Sequence, residues 1–406
     1  MFQTFKMAFR DLGRNRRRSF FSALAVAVGL ALLMMLSSVI QGEMGSALES
    51  AIHLQTGHVQ IRAASYDENK SSLKWEDLIE DPDQLASNVS QNSDVIAATP
   101  RLFASGFLST GDESSGARIF GIDPGSAAND PYRLGVVEGE YLTADDREGL
   151  LIGKPAALKL HLNVGDKVAL SVNTSNGDVL EQTFIVRGIF TTETYGFDSS
   201  TVLLPLAKAQ ALTQTENHAS TIFILLTDTA LTDGFASQLT LPAGLEVKTW
   251  QDLNTLLTQF EDLANSYIGF FYLIILAITA SVIVNTLIMS VYERTREIGI
   301  LSAIGMRGAR IMGLFLSESL LLAVGGVIMG LALGVLGVYL FNIKGYYIGN
   351  MGLNGMLITD TLRARLTLDN TISVTTMTFI ATILSGLYPA WLASRLEPVA
   401  ALRAEK

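Results

Sequence analysis

The side chains in this sequence that could most readily bind a metal or take part in catalysis are four histidines, His53, His58, His161 and His218. Together they complete no zinc-binding motif, which needs three or four ligands in a set pattern. Cysteine is absent, which excludes thiolate–metal and disulfide chemistry. The sequence also lacks the G-x-x-x-x-G-K-[ST], H-E-x-x-H and G-x-S-x-G motifs of ATP hydrolysis, zinc proteolysis and serine-type hydrolysis. We therefore expect no catalytic residue and no metal site, and the chain is not predicted to be an enzyme.

Arginines are the second chemically distinctive group. Arg294, Arg296, Arg307 and Arg310 lie in VYERTREIGILSAIGMRGARIMGLFLSE at 291–318, a short helix-compatible segment between two long apolar runs. Charged side chains are costly inside a bilayer, so this segment must connect two membrane spans at the surface. It is therefore a candidate contact for a partner protein.

Glu318 lies near the start of the next apolar run. An ionisable group at that depth is costly unless it is paired or close to water. We predict a structural role near the membrane surface, in which an arginine of the preceding segment pairs with it. A proton relay would need further acids or histidines within the spans, and the sequence has none there.

The elements that position these residues follow from hydropathy. The composition, 49% hydrophobic and 17% charged, is typical of a protein that is partly membrane-embedded and partly soluble. Four runs could each cross a bilayer as a helix, which takes roughly 20 residues. They are residues 19–42, 268–291, 311–341 and 372–393. The first is too long for a signal-peptide core, so it is predicted to be an uncleaved span.

The distribution of Lys and Arg predicts the topology, because both are enriched in cytoplasmic loops. Residues 1–18, 292–310 and 394–406 are basic and are placed inside, whereas 43–262 and 342–371 are placed outside. Anionic-lipid binding is the alternative role of the basic N-terminal segment. Its charged side chains are Lys6, Arg10, Arg14, Arg16, Arg17 and Arg18, with Asp11 among them.

The exported region, residues 43–262, carries 31 acidic and 13 basic side chains, which favours solubility, with a basic partner as the alternative. Short alternating strands and helical stretches predict an α+β domain. At its two ends, apolar residues recur at helical spacing, which predicts stalk helices that continue spans one and two, with ordinary surface helices of the domain as the alternative. These residues are Ile40, Met44, Leu48 and Ile52, and Trp250, Leu253, Leu257, Phe260 and Leu263.

Span three contains glycines spaced by four residues, Gly326, Gly330 and Gly334. They share one helix face and allow another helix to approach closely, so they are predicted to be a packing surface.

Two motifs resemble those of a known family, the MacB/FtsX-type ABC transporter permeases. ERTREIGILSAIGMRGARIMGLFLSESLLL at 293–322 resembles their coupling helix, and LYPAWLASRLEPVAALR at 387–403 resembles their terminal signature. That family also has the same order of segments, with one span, a large exported domain and then three further spans. Within it, the chain resembles the LolC/LolE lipoprotein-releasing permeases along its whole length. The supporting stretches are MAFRDLGRNRRRSF, GHVQI, LLIGKPAALKLHLNVGDKVAL and FIVRGIFTTETYGFDSSTVLLPLAKAQAL.

The resemblance implies partners and a mechanism. Two permease chains, identical or different, would pair with two ATPase subunits that bind ATP and Mg, while this chain holds no cofactor. Residues 292–310 would be the coupling helix in an ATPase cleft, with headgroup anchoring as the alternative role of its charges. Motion would pass through the spans and the stalk to the exported domain. The expected ATPase-coupling residues are Glu293, Arg294, Arg296, Glu297, Ile298, Ile300 and Leu301.

The implied location is the bacterial inner membrane, with multiple spans, a periplasmic exported domain and cytoplasmic termini. The implied function is mechanical extraction of lipoproteins or lipids from the outer leaflet. Cargo would enter between span one of one chain and span two of the other, and no nucleic acid is involved. Apolar candidates for this cleft, which core packing explains equally well, are Met34, Met35, Phe270, Phe271 and Ile274.

The exported region is expected to have a porter-like part at about 43–125 and 205–262, with a β-rich, sabre-like part between them. LolC-type permeases carry a hook there that captures a periplasmic carrier. This chain has only NTSNGDVLE at 173–181, which predicts a tight hairpin turning at Asn176-Gly177. Capture of a carrier therefore stays open, as does the role of the loop 342–371.

Two other functions fit the same family. One is a MacB-like exporter that works with a periplasmic adaptor, although a fused ATPase would be expected there. The other is an FtsX-like transmitter that activates a cell-wall hydrolase, for which the exported domain is large.

Overall fold

The computed structural model describes residues 2–14, 16–67, 72–348 and 359–397. The chain divides into two compact units. We call the first, residues 1–42, 261–346 and 362–406, the membrane unit; the second, residues 43–260 and 347–361, is called the exported unit after the location predicted for it from the sequence. Residues 349–358 of the predicted outer loop and 398–406 of the predicted tail lie outside the described residues.

The helices follow one another along the chain with bounds set by their hydrogen bonds. They are α1 (Phe2–Arg14), α2 (Arg16–Ser50), α3 (Pro82–Val89), α4 (Asp130–Leu134), α5 (Lys154–Lys159), α6 (Tyr195–Asp198), α7 (Leu206–Thr213), α8 (Thr232–Gln238), α9 (Trp250–Leu253), α10 (Thr255–Glu293), α11 (Thr295–Ala303), α12 (Gly308–Lys344), α13 (Leu368–Ser385) and α14 (Leu387–Ser394).

The strands lie mainly between α2 and α9. They are β1 (Val59–Ala63), β2 (Ile79–Glu80), β3 (Val95–Ser109), β4 (Ser114–Ile122), β5 (Val136–Gly139), β6 (Gly149–Gly153), β7 (Lys167–Asn173), β8 (Val179–Phe190), β9 (Thr201–Pro205), β10 (His218–Ala219), β11 (Thr221–Leu226), β12 (Leu245–Thr249), β13 (Tyr346–Tyr347) and β14 (Thr361–Leu362).

Four helical segments are long and apolar enough to cross a membrane: Arg16–Thr56, Thr255–Glu293, Gly308–Ile343 and Leu368–Ser394. Each contains one of the apolar runs identified in the sequence. The predicted fold class, four spans in a 1+3 order with an α+β domain after the first, is confirmed. Buried side chains of α2, α10, α12 and α13 pack together in the membrane unit.

The exported unit begins with a four-stranded antiparallel sheet in the order β12-β1-β11-β3, in which β3 contributes its first half. Helices α3 and α8 cover one face, where their apolar residues pack on β1 and β11. The sequence of strands and helices is that of a split βαβ fold. This sheet corresponds to the expected porter-like part.

The second half of β3 enters a closed barrel. Its strands pair in the order β3-β4-β9-β6-β8-β7, and β7 pairs back to β3. A closed sheet leaves no free edge between these strands. The barrel begins near Leu102, earlier than the expected boundary near 125, because β3 runs without interruption from one sheet into the other.

The predicted stalk helices differ from each other. The first is continuous from Arg16 to Ser50 and is followed by a π-helical stretch, Ala51–Thr56. The second is interrupted, because α9 ends before Asn254 and α10 starts at Thr255. Thr249 and Asp252 form a capping box that starts α9 as a separate helix. The sequence periodicity did not detect this break.

Candidate coupling site

The surface of α11 and its flanks carries a stripe of exposed side chains, which we call the coupling face: Tyr292, Arg296, Ile300 and Ile304. Tyr292 is 64% exposed, Ile300 45% and Ile304 80%. Residues spaced by four share one face of a helix, so Arg296 and Ile300 lie on one face of α11. Tyr292 lies at the end of α10, and Ile304 is the residue just after α11. Large exposed apolar side chains beside a charge suit contact with a partner protein.

The opposite side of α11 is buried. Ile298 is 3% exposed and packs with Val291, Ile311 and Phe315, as well as with residues of α14. Ile298 was predicted to fill a groove of an ATPase; in this structure it is instead part of the membrane unit's own core. Leu301 is half-buried.

The end of α11 explains why the helix is shorter than the predicted 292–310. Gly305 adopts a φ of 95°, and its N–H donates to Ser302 O at 3.0 Å. Met306 N–H donates to Leu301 O at 3.0 Å, which completes a Schellman motif. Glycine adopts this left-handed conformation at low cost and so terminates the helix.

Arg294 was also predicted to contact an ATPase, and the structure assigns it an internal position. Its side chain is 8% exposed and forms an ion pair with Asp11 of α1. Its Nη1 lies 3.8 Å from Glu318 Oε2, and its Nε lies 3.4 Å from Glu297 Oε2. The predicted pairing of Glu318 with an arginine of the preceding segment is confirmed.

Two further ion pairs connect the N-terminal segment to α11 and to the end of α10. Arg14 Nη2 lies 2.7 Å from Glu297 Oε1, and Arg18 pairs with Glu293. With the Asp11–Arg294 pair, they form what we call the N-terminal latch. Glu293 and Glu297, predicted as ATPase contacts, therefore already have partners within the chain, whereas Arg296 is exposed.

Sequence reasoning missed Tyr292 and Ile304 on the coupling face. Both residues continue the four-residue spacing of Arg296 and Ile300, and this pattern in the sequence could have identified them. It also missed Asp11, whose partner is 283 residues away in the sequence.

The glycines of span three face span one. A Cβ added at Gly326 would lie 2.6 Å from Val26 Cβ, and one at Gly330 would lie 2.9 Å from Leu30 Cβ. A Cβ at Gly334 would lie 2.6 Å from Met34 Sδ. These three glycines therefore allow α2 and α12 to approach closely within the unit.

The candidate cargo-cleft residues divide into two groups. Met34 is 1% exposed, so it packs inside the unit and does not face an open cleft; Met35 is half-buried and lies close to Gly337. Phe270, Phe271 and Ile274 are 60%, 46% and 39% exposed on α10. Of these five candidates, the three on α10 are exposed in the single chain.

In the exported unit, Arg101 of β3 holds the end of the first stalk helix. The side chain is fully buried; its Nη1 donates to Leu54 O at 2.8 Å and its Nη2 to Asn129 Oδ1 at 2.8 Å. Tyr132 Oη donates to the same Leu54 carbonyl at 2.5 Å. The guanidinium also lies 3.4 Å from the centre of the Phe223 ring. Burial lowers the pKa of Arg101, and its interactions with Tyr132 and Tyr141 act in the opposite direction.

The predicted hairpin at 173–181 is confirmed. β7 and β8 pair as far as Asn173 and Val179, and Gly177 in the turn has a φ of 86°. Ser175 Oγ donates to Gln214 O at 2.7 Å, and Asn176 Nδ2 donates to Gln214 Oε1 at 2.7 Å. The turn is thus held against the end of α7.

Asp360 of the predicted outer loop belongs to the same exported unit and contacts the segment after β8. Asp360 N–H donates to Glu193 O at 2.9 Å, and Tyr195 N–H donates to Asp360 Oδ1 at 3.4 Å. The neighbouring Asp198 is 1% exposed. Burial raises the pKa of Asp198 to about 6, against hydrogen bonds from Thr192 and Thr191 that lower it.

Two family models match the chain: the MacB-like periplasmic core domain at residues 19–241 and the FtsX-like permease C-terminal domain at 269–398. The lipoprotein-releasing system transmembrane protein LolC of Neisseria meningitidis is 24% identical over 98% of this chain and 98% of its own length. LolE of Haemophilus influenzae is 23% identical over 94% and 93%. The macrolide export ATP-binding/permease protein MacB of Neisseria gonorrhoeae is 24% identical over 84% of this chain but 53% of its own length.

Proposed function

Because this chain belongs to the MacB/FtsX family of ABC transporter permeases, we propose that it extracts lipoproteins or lipids from the outer leaflet of the inner membrane. The observation that supports this function best is its similarity to LolC and LolE along nearly the whole of both sequences. The energy comes from a separate subunit, since the chain has no P-loop.

Two ATPase subunits, which bind ATP and Mg, dock on two permease chains through the coupling face. Ile300 and Ile304 enter an apolar groove of the ATPase, and Arg296 meets an acidic group at its rim. The exposure of Ile300 (45%) and Ile304 (80%) supports this assignment, whereas Ile298, 3% exposed, cannot serve as a contact without rearrangement. With the coupling face bound to cytoplasmic ATPases, both termini lie in the cytoplasm and the exported unit lies in the periplasm.

Movement of the ATPases is transmitted through the N-terminal latch. Arg294 joins α11 to α1 and lies close to Glu318 of α12, and the Arg18–Glu293 pair reaches the base of α2. Because Arg294 and Glu318 are buried, a shift of α11 displaces α1 or breaks the ion pairs of Arg294. The continuous helix α2 and the π-helical stretch that follows it then carry the displacement to Leu54, whose carbonyl accepts hydrogen bonds from Arg101 and Tyr132.

Carrier capture, if the transporter uses a carrier, belongs to another chain of the complex. The hairpin turn is held by Gln214 and does not extend beyond five residues between β7 and β8. This supports a heterodimer in which the second permease chain provides the hook.

The docking step is tested by co-purification of the ATPase with the tagged full-length chain in mild detergent. Arg296→Glu/Ile300→Glu is expected to lose the ATPase, because it reverses the charge and places a carboxylate in the groove. The matched control is Arg10→Glu, a charge reversal at an exposed arginine of α1. Retention of the ATPase by the double variant, or equal loss in the control, would contradict docking through the coupling face.

The cargo is tested by mass spectrometry of what the same preparation retains. Acylated lipoproteins are expected, and their release on addition of ATP would support extraction. A periplasmic adaptor in their place would favour a MacB-like exporter, the second candidate, which is supported by the match to MacB-like core domains. A cell-wall hydrolase would favour an FtsX-like transmitter.

A further inference from the structure

The arginines at the base of span one differ in their partners. Arg14 and Arg18 are bound to Glu297 and Glu293 in the N-terminal latch. Arg16 and Arg17 are exposed, and among the described residues no carboxylate lies within ion-pair distance of either. Two guanidinium groups therefore remain available to an external anion.

The free arginines lie beside two exposed aromatic rings. Arg16, Arg17, Phe20 and Phe21 line an open groove of about 580 Å³. Phe20 is 53% exposed and Phe21 65%, and their ring centres lie 5.8 Å apart, edge to face. Arg16 Nε donates to Gly13 O at 3.2 Å, which fixes that guanidinium at the rim.

The distance between each arginine and its phenylalanine matches the change from phosphates to acyl chains at a membrane surface. Each arginine precedes a phenylalanine by four residues, which is about 6 Å along the helix axis. When the rings lie among the acyl chains, the guanidinium groups lie at the depth of the phosphates. Arginine binds phosphate through two parallel hydrogen bonds, which gives such a site geometry as well as charge.

We propose that this groove binds the headgroup of an anionic phospholipid of the cytoplasmic leaflet, with an acyl chain against Phe20 and Phe21. Charge complementarity selects an anionic lipid, because the nearby acids Asp11, Glu293 and Glu297 are already paired with arginines. The bound lipid fixes the base of α2 beside the Arg18–Glu293 pair, where the proposed transmission enters span one. The choice of leaflet rests on the proposed orientation, whereas the binding itself does not.

Orientation alone would require only a sufficient number of positive charges near the span. All the arginines of the segment serve that purpose equally. Lipid binding makes a different demand, because it depends on Arg16 and Arg17 and on the rings beside them. The two explanations can therefore be separated by variants that remove equal charge.

The experiment is native mass spectrometry of the full-length chain in non-ionic detergent, titrated with phosphatidylglycerol or with phosphatidylcholine of the same acyl chains. We expect the wild type to bind phosphatidylglycerol in preference to phosphatidylcholine. Arg16→Gln/Arg17→Gln is expected to weaken the tightest phosphatidylglycerol site about 30-fold, from the loss of two surface arginines. Arg307→Gln/Arg310→Gln, the matched control at two other exposed arginines, is expected to retain that site.

Equal weakening in both variants would overturn the proposal, since it would show a diffuse charge effect. So would unchanged binding in Arg16→Gln/Arg17→Gln, or equal binding of both lipids by the wild type. Co-purification of the ATPase is measured on the same samples. If the wild type retains lipid but no ATPase, the docking proposal fails while the lipid site stands.

Discussion

Arg294 shows how one side chain can appear to be a partner contact in the sequence and prove to be an internal one in the fold. It lies in a basic, exposed-looking segment, yet Asp11 and Glu318 approach it from two other helices. Arg294 therefore positions α11 against α1 and α12. In the proposed function, the contact with the ATPase is made by Arg296 and the apolar residues of the coupling face.

Replacing Arg294 by Met is expected to lower the free energy of unfolding by about 3–5 kcal/mol, because it leaves Asp11 and Glu318 without their buried partner. Thermal unfolding of the full-length chain in detergent measures this. Arg296→Met, at an exposed position, should change little. Addition of Glu318→Gln should recover part of the loss, and an Arg294→Met variant as stable as wild type would contradict the buried pairing.

Asp198 gives the exported unit a pH dependence. The folded chain holds its proton up to a pKa of about 6, whereas the unfolded chain loses it near the ordinary value for aspartate. Between these values the folded state binds more protons, so its stability falls as pH rises. The effect reaches roughly 2–3 kcal/mol, the equivalent of about two pKa units.

The test compares wild type with Asp198→Asn in thermal unfolding at pH 4.5 and 7.5. The wild type is expected to lose stability relative to the variant on going to pH 7.5, because Asn carries no charge to bury. Asp360 and Glu193 lie nearby, and both the wild type and the variant retain them. A constant difference between the two proteins across this range would show that Asp198 does not titrate there.

At the scale of elements, the packing of α2 against α12 depends on glycine at particular positions. Gly326 and Gly325 are adjacent in sequence but face different surroundings. A Cβ at Gly326 would meet Val26, whereas one at Gly325 meets nothing within 4 Å. Sequence spacing identified the face, and the structure identified the helix that packs on it.

Gly326→Ala is expected to destabilise the membrane unit by about 1–3 kcal/mol, the usual cost of overpacking. Gly325→Ala is the matched control and should be neutral or stabilising, since alanine has the higher helix propensity. Thermal unfolding in detergent compares the two. Equal stability of both variants would mean that α2 and α12 can separate at this point without cost.

At the scale of the whole molecule, the absence of cysteine allows a direct test of topology. Single cysteines replace Gly13, Ala144 and Ala303, all of which are exposed. With a membrane-impermeant maleimide, Ala144→Cys is expected to react in intact spheroplasts. Gly13→Cys and Ala303→Cys should react only after the membrane is opened. The reverse pattern would place the coupling face outside and remove it from any cytoplasmic ATPase.

The sequence by itself determined the four spans, the α+β class of the exported domain and the hairpin at 173–181. Hydropathy, alternation and turn residues are local properties, and each can be read within a window of about 20 residues. The tertiary structure was needed to show which acids pair with Arg294 and that Met34 is buried against span three. Burial and pairing depend on residues that are distant in sequence and meet only when the helices pack, so no local pattern could encode them.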